Sequence, residues 1–364
     1  MAHQLIKVFS HNDLDGFGGP EVLASVQPDV FPDVEFEITH IGAGQIDAAL
    51  DRWLQNPQLS NYSDLYIMDM TPDSDHTFEE LNQHFANHWL VFDHHETEQE
   101  ARQKYAANSI GPANPEVLPS AASIVWDWVK TQPGFAKLPE GRQKALAELV
   151  ELIRAYDTWD WQNDPDLPQT EREGADELNE IFWFYPKSRS QQFITQVFAK
   201  GWTVYREENE MLIKTLTERR ADYLKHHLRD ALTTVIDRHQ LGIVYASDYN
   251  SQIAHQLMID HPELDAALVV GPTSVSLRSN DKMDVAKFAE HYYQGGGHAN
   301  AAGGRLPINP VQIGEQAVLD HLKADVAAAS QAKPAEEPSS TLADSLDPEV
   351  AAKMAKLFGK DDAE

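Results

Sequence analysis

The sequence predicts an α/β fold in two parts: an N-terminal, mostly parallel sheet with helices on both faces, then a connector helix and a smaller C-terminal α/β domain. Three observations carry that expectation. Apolar, β-rich runs alternate with helical patterns through the first ~130 residues. A second alternation of the same kind begins near residue 231. The chain has 364 residues, more than one ordinary compact core holds.

Taken in order, the expected strands of the first part are Leu5 to Ser10, Val34 to Ile41, Leu65 to Met70 and Trp89 to Asp93, each a short apolar run. Gly19 to Val26, Gln45 to Leu54 and Ser74 to Phe85 read as the helices between them. Ser120 to Val129 and Arg142 to Tyr156 are stronger helical patterns, the second with Leu146, Leu149, Val150 and Ile153 on one face. From Asp164 to Lys187 runs a Pro-, Asp- and Glu-bearing stretch ending in Phe182-Trp183-Phe184-Tyr185-Pro186, whose aromatics are expected to pack beneath a long helix reaching Arg229. In the second part, strands are expected at Leu232 to Ile236, Leu241 to Ala246, Ala266 to Val270 and Ser274 to Leu277, with helices at Ser251 to Ile259 and Asp284 to Tyr293. The expected division is a first domain 1–190, a connector helix 191–230, a second domain 231–325 and an acidic, disordered tail 326–364, within which Pro348 to Phe358 is amphipathic.

Composition removes several function classes. There is no cysteine, which excludes disulfides, thiolate zinc sites and a cysteine nucleophile, so any metal is held by His and carboxylate. The N-terminal apolar stretch Leu5-Ile6-Lys7-Val8-Phe9 is too short for a signal peptide, and no later run approaches the roughly 18 residues of a membrane span. The expected location is therefore the cytoplasm. A formal net charge of −29, from 58 acidic and 29 basic residues, argues against long duplex DNA as a partner, because such binding rests on Lys and Arg neutralising phosphates. Short phosphate ligands stay open, since a bound divalent cation reverses the local field.

The residues that point to chemistry stand at strand ends. Three of the expected strands finish in Ser10-His11-Asn12-Asp13-Leu14-Asp15-Gly16, Met68-Asp69-Met70 and Asp93-His94-His95. In an open parallel sheet the carboxyl ends of the strands are where ligands bind, so these side chains are expected to converge. The spacing of two between His11, Asp13 and Asp15 places them on one side if that segment is extended. Asp157 joins them at the end of the Arg142 helix, where the helix dipole disfavours a carboxylate unless a cation is near. Each element alone is ordinary: DxDG is a common turn, adjacent histidines are usually surface residues, and a lone Asp69 caps a helix as readily as it holds a metal. Their recurrence at successive strand ends is what asks for a divalent cation, with manganese first and magnesium or iron(II) also suited to oxygen-rich ligation. Further along, Gly295-Gly296-Gly297-His298 reads either as backbone N–H groups approaching an anion or as an ordinary helix-start loop, and Arg278 as a fork for phosphate oxygens. Trp159 and Trp161 are candidates for base stacking, with core packing the favoured reading.

Together these residues resemble the DHH phosphoesterases, named for the triplet that stands here as Asp93-His94-His95. His11-Asn12-Asp13-Leu14-Asp15-Gly16 is similar to the family's first motif, Asp69 to its second and Asp157 to its fourth, while Gly295 to Gly303 is similar to the GGGH segment of the associated C-terminal domain. The resemblance spans residues 4–320 in the family's order. It implies a catalytic metal-binding domain followed by a substrate-binding one, and two divalent ions held by Asp13, Asp15, Asp69, His94 and Asp157, with Asp69 between them. It further implies that His11 lies at the edge of the ligand set, that Asp93 orients an imidazole, and that His95 meets the phosphoryl or leaving oxygen. The implied reaction is attack on phosphorus by a metal-activated hydroxide, with no protein nucleophile. Arg278, Gly295, Gly296, Gly297, His298 and Asn300 are implied as substrate contacts. The opening motif and Tyr156-Asp157-Thr158-Trp159-Asp160-Trp161 look most like the oligoribonuclease branch, of nanoRNase B type. Expected partners are therefore short single-stranded RNA or DNA oligonucleotides, or small nucleotides, cleaved to nucleoside monophosphates, with a homodimer left open. Two alternatives are a small-nucleotide phosphatase or cyclic-nucleotide phosphodiesterase, and a non-catalytic metal-containing regulator that binds nucleotides.

Overall fold

The computed structural model describes residues 4–280, 282–306, 318–320 and 323. The chain divides after Arg229 into two compact units. The amphipathic stretch Pro348 to Phe358 lies outside the described residues.

In the first unit β1 (Gln4–His11), α1 (Leu14–Val30), β2 (Val34–Ile41), α2 (Ile46–Leu54), β3 (Tyr62–Met68), α3 (Asp75–Phe85), β4 (Trp89–Phe92), α4 (Gln99–Lys104) and β5 (Ser109–Ile110) form an alternating series. The five strands pair in parallel in the order β2-β1-β3-β4-β5. The interior strand β1 is buried through five consecutive residues, as a strand covered on both faces must be. One layer packs Phe9, Leu65, Ile67 and Val91 under α2 and α3. The other packs Ile6, Val8, Met68 and Phe92 under α1, α5 (Ala121–Lys130) and α6 (Glu140–Asp157). α1 is buried along nearly its whole length, so it begins far earlier than the apolar run from Gly19 suggests. Its N-cap is Asp13, whose side chain accepts from Gly16 N at 2.9 Å.

The expectation for residues 164–229 needs correction. The polar stretch is occupied mainly by α8 (Gln169–Phe184), preceded by the single turn α7 (Asp160–Asn163), and α8 buries Ala175, Leu178, Ile181 and Phe182 against the core. The single connector helix is three: α9 (Lys187–Lys200), α10 (Trp202–Glu208) and α11 (Glu210–Arg229). Gly201 breaks the first junction with φ +82, a conformation that glycine adopts without steric cost. Of the aromatic run, Phe182 is buried, whereas Trp183 and Phe184 are exposed.

The second unit contains β6 (Leu232–Ile236), β7 (His239–Tyr245), α12 (Asn250–Asp260), β8 (Ala266–Val270), β9 (Ser274–Ser279), α13 (Val285–Tyr293), β10 (Gly296–His298) and β11 (Ala301–Arg305). Its sheet runs β10-β11-β9-β8-β7-β6, antiparallel except between β7 and β8. It has its own core, in which Leu268, Val275 and Leu277 meet Phe288 and Tyr293. Strands β10 and β11 lie in Gly- and Ala-rich sequence with no apolar alternation, so the pattern that marks the other strands is missing there. Among the described residues no helix is long and apolar enough to cross a membrane.

Candidate metal centre

The first motif follows the end of β1, but not as an extended segment. The strand stops at His11, Asp13 caps α1, and Asp15 lies within its first turn, buried to 2% exposure. Convergence with the other strand ends is achieved by this strand-to-helix turn rather than by period-two alternation. Gly16 makes the turn feasible, because a Cβ there would sit 2.3 Å from the His11 carbonyl oxygen. Ser10 Oγ ties the two sides, donating to Gly16 O at 2.5 Å.

Asp15 reaches across to α5, accepting from Ala121 N at 2.6 Å and from Ala122 N at 2.9 Å. A carboxylate at this helix N-terminus meets two backbone donors and the positive end of the dipole. Asp69, after β3, takes the left-handed conformation at φ +58 and is 3% exposed. Its Oδ2 lies 3.5 Å from His11 Nδ1, and its Oδ1 lies 3.4 Å from His94 Nε2. His11 Nδ1 is also 2.8 Å from Asp13 Oδ2. His94 Nε2 is 3.2 Å from Asp157 Oδ2 and 3.8 Å from Asp15 Oδ2. Asp157 is the last residue of α6.

Two donor sets result, His11–Asp13–Asp69 and Asp15–His94–Asp157, each with ligand atoms within 4.8 Å of one another. A third grouping joins Asp69 to Asp93, His94 and His95. Asp69 Oδ2 and His94 Nε2 are buried without a hydrogen-bond partner. Two orphaned buried polar atoms at the meeting point of four carboxylates fit a divalent cation, which would satisfy both.

The electrostatics agree. Burial, with the Asp13 and Asp15 charges beside it, raises the Asp69 pKa well above the usual carboxylate range. Burial and the Asp15 charge push Asp157 up to about 7. Burial alone would lower the His11 pKa, but its bonds to Asp13 and Asp69 overcome that and push it up to about 10. Without a cation the cluster thus retains protons to limit its own repulsion.

Asp93 behaves differently. Burial works to raise its pKa, yet the His95 bond and further donors hold it below the usual range. It accepts from His95 Nδ1 at 2.7 Å, from His94 N at 2.8 Å, from Thr71 Oγ1 at 2.6 Å and from Arg102 Nη1 at 3.0 Å. Such a saturated carboxylate orients its neighbours. Thr71 and Arg102 carry no motif, and sequence reasoning missed them because their partner is defined only in the fold.

The predicted residues of the second domain fall in the second unit. Arg278 on β9 is cross-strand to Ala301 and donates to Ser251 Oγ at 2.9 Å. Gly296–His298 form β10, and Asn300 lies between β10 and β11, its Oδ1 accepting from Ser279 Oγ at 3.2 Å. The three glycines differ. A Cβ at Gly295 would strike Gly303 O at 1.9 Å and one at Gly297 would strike Ala301 O at 2.4 Å, whereas Gly296 has open space. Close passage of β11 explains why the first and third are glycine, whereas a Cβ at Gly296 would enter open space. Trp161 is buried, stacked on Tyr156, and Trp159 is half-buried against both.

No family model matches the chain. Its fold is similar to the DHH domain of a member of a family of ribosomal proteins (TM-score 0.57, 14% identity, 89% of this chain and 87% of that one). It is also similar to exonuclease RecJ bound to manganese (TM-score 0.50, 16% identity, 91% of each chain). In sequence it is 29% identical over 304 residues to oligoribonuclease NrnB of Bacillus subtilis (strain 168), covering 81% of this chain and 71% of that protein. The chain has the fold of a DHH domain. Within that fold, the acidic and imidazole cluster at the strand ends offers donor sets that could hold a metal ion.

Proposed function

We propose that this chain is a DHH phosphoesterase that hydrolyses short single-stranded oligonucleotides to nucleoside monophosphates in the cytoplasm, using two divalent ions of which manganese is the first choice. The observation that carries the reading is the division of Asp69, one oxygen towards His11 and the other towards His94, between two separate donor sets. A relative named an oligoribonuclease supports the substrate class. Asp13 and Asp69 would hold one ion with His11 at the edge of the set, and Asp15, His94 and Asp157 the other. When bound, such ions lower the pKa of water and stabilise charge developing on phosphoryl oxygens.

The chain's own residues supply the rest. Asp93 holds the His95 ring through Nδ1, so the proton that His95 exchanges with a phosphoryl or leaving oxygen sits at Nε2. Burial lowers the His95 pKa, but the Asp93 bond raises it above the ordinary value, which favours the donor form. Arg278, Gly296, His298 and Asn300 hold the nucleotide.

Turnover with manganese is the test, comparing di- to pentaribonucleotides with 3′-phosphoadenosine 5′-phosphate and cyclic di-AMP. The oligoribonucleotides should have the highest kcat/KM. A preference for either small nucleotide would move the chain to another branch. Asp69→Asn keeps a side chain that tolerates the left-handed backbone, and should lose at least about a hundredfold in kcat together with bound manganese. Retention of both ions by that variant would overturn the ligand assignment.

A further inference from the structure

His40, the penultimate residue of β2, carries no motif, yet it sits against the metal centre. Its neighbour across the β1–β2 ladder is Ser10. The imidazole stacks on Phe17 of α1, with ring centroids 3.6 Å apart and planes 8° from parallel. Its Nδ1 lies 3.0 Å from the His11 carbonyl oxygen. A carbonyl only accepts, so Nδ1 carries the hydrogen. The other nitrogen, Nε2, is buried with no partner in hydrogen-bond geometry, although the Gln191 side chain stands nearby. A buried polar atom without a partner is destabilising, and a phenyl ring would keep the stack without that cost. Packing therefore does not account for a histidine here, whereas the Nδ1 bond does. The carbonyl it holds is also the one that Gly16 approaches closely, where a Cβ would lie 2.3 Å away. Both contacts constrain the His11 peptide.

We propose that His40 is a positioning residue: its Nδ1–H locks the His11 carbonyl, and so sets the direction in which His11 and Asp13 present their side chains to a divalent cation. The inference rests on reading His11–Asp13–Asp69 as a metal donor set. Two variants separate its parts. His40→Phe keeps an aromatic on Phe17 and removes the donor; His40→Asn loses the stack but places an amide N–H near the position of Nδ1.

The experiment is calorimetric titration of the metal-free full chain with manganese, with thermal melts of the same samples. His40→Phe removes both the unpartnered Nε2 and the Nδ1 bond, two opposing changes, so it should melt close to the wild-type temperature, yet bind manganese about tenfold more weakly at one ion site. His40→Asn should recover affinity to within about threefold of wild type despite a lower melting temperature. Wild-type affinity in His40→Phe would overturn the proposal. So would an Asn variant as weak as the Phe variant, or a Phe variant that melts well below wild type, since either assigns His40 to packing. A wild-type chain that binds no manganese would instead overturn the metal reading beneath it.

Discussion

Glu21 carries a carboxylate into the packed contact between α1 and α9, where it is 5% exposed and accepts from Gln191 Nε2 at 2.8 Å and Thr195 Oγ1 at 3.0 Å. Two neutral donors do not offset burial, which pushes its pKa from 4.5 up to about 7. The folded chain therefore binds this proton more tightly than the unfolded chain does. The stabilisation is complete below the unfolded pKa and is lost as pH rises to about 7, a change of order 3 kcal/mol across that window. Glu21→Gln keeps an acceptor and carries no titrating proton. Its melting temperature relative to wild type should rise steadily from pH 4.5 to pH 8, and a gap that stays constant would show that Glu21 is solvated. At this scale the candidate ligands were legible because they sit in motifs at strand ends. His40, Thr71 and Arg102 were not, since each acts through a partner remote in sequence: His40 on His11, the other two on Asp93.

The elements of the first unit were legible wherever apolar periodicity marked them, and the failures share a cause. α8 hides in polar sequence because it buries Asn179 and Glu180 alongside Leu178, Ile181 and Phe182, and its start has Pro168 before it and no side-chain cap. β10 and β11 hide because Gly and Ala leave no alternating side chains to read. Their glycines predict opposite outcomes. Gly297 combines φ +139 with a Cβ path into Ala301 O, so Gly297→Ala should cost at least about 2 kcal/mol of the second unit's stability. Gly296→Ala enters open space and should leave the melting temperature unchanged. If that strand faces nucleotide phosphates, Gly296→Ala will lower kcat/KM for oligoribonucleotides while sparing a minimal aryl phosphodiester. Equal losses on both would place the segment in the chemical step.

Each unit of the molecule has a separate hydrophobic core, and every residue proposed to hold metal belongs to the first. A chain ending at Arg229 should therefore fold and bind manganese with wild-type affinity while losing oligonucleotide turnover. Calorimetry of that fragment beside the full chain checks it; failure to bind would show that the second unit completes the site. Added manganese should raise the melting temperature of the first unit alone, by the linkage between ligand and native state. The high negative charge makes that gain larger at low salt. Asp15 has a consequence of another kind. Both its carboxylate oxygens receive backbone amides of α5, so the residue is a seam in the architecture as well as a member of the cluster. A duplicated copy of this chain drifting free of hydrolysis could shed Asp69 or Asp157 and relieve crowded charge, but shedding Asp15 would unstitch a helix. Silent descendants would thus carry Asp15 as a relic, and its presence alone would be poor testimony that a cousin still cuts phosphodiesters.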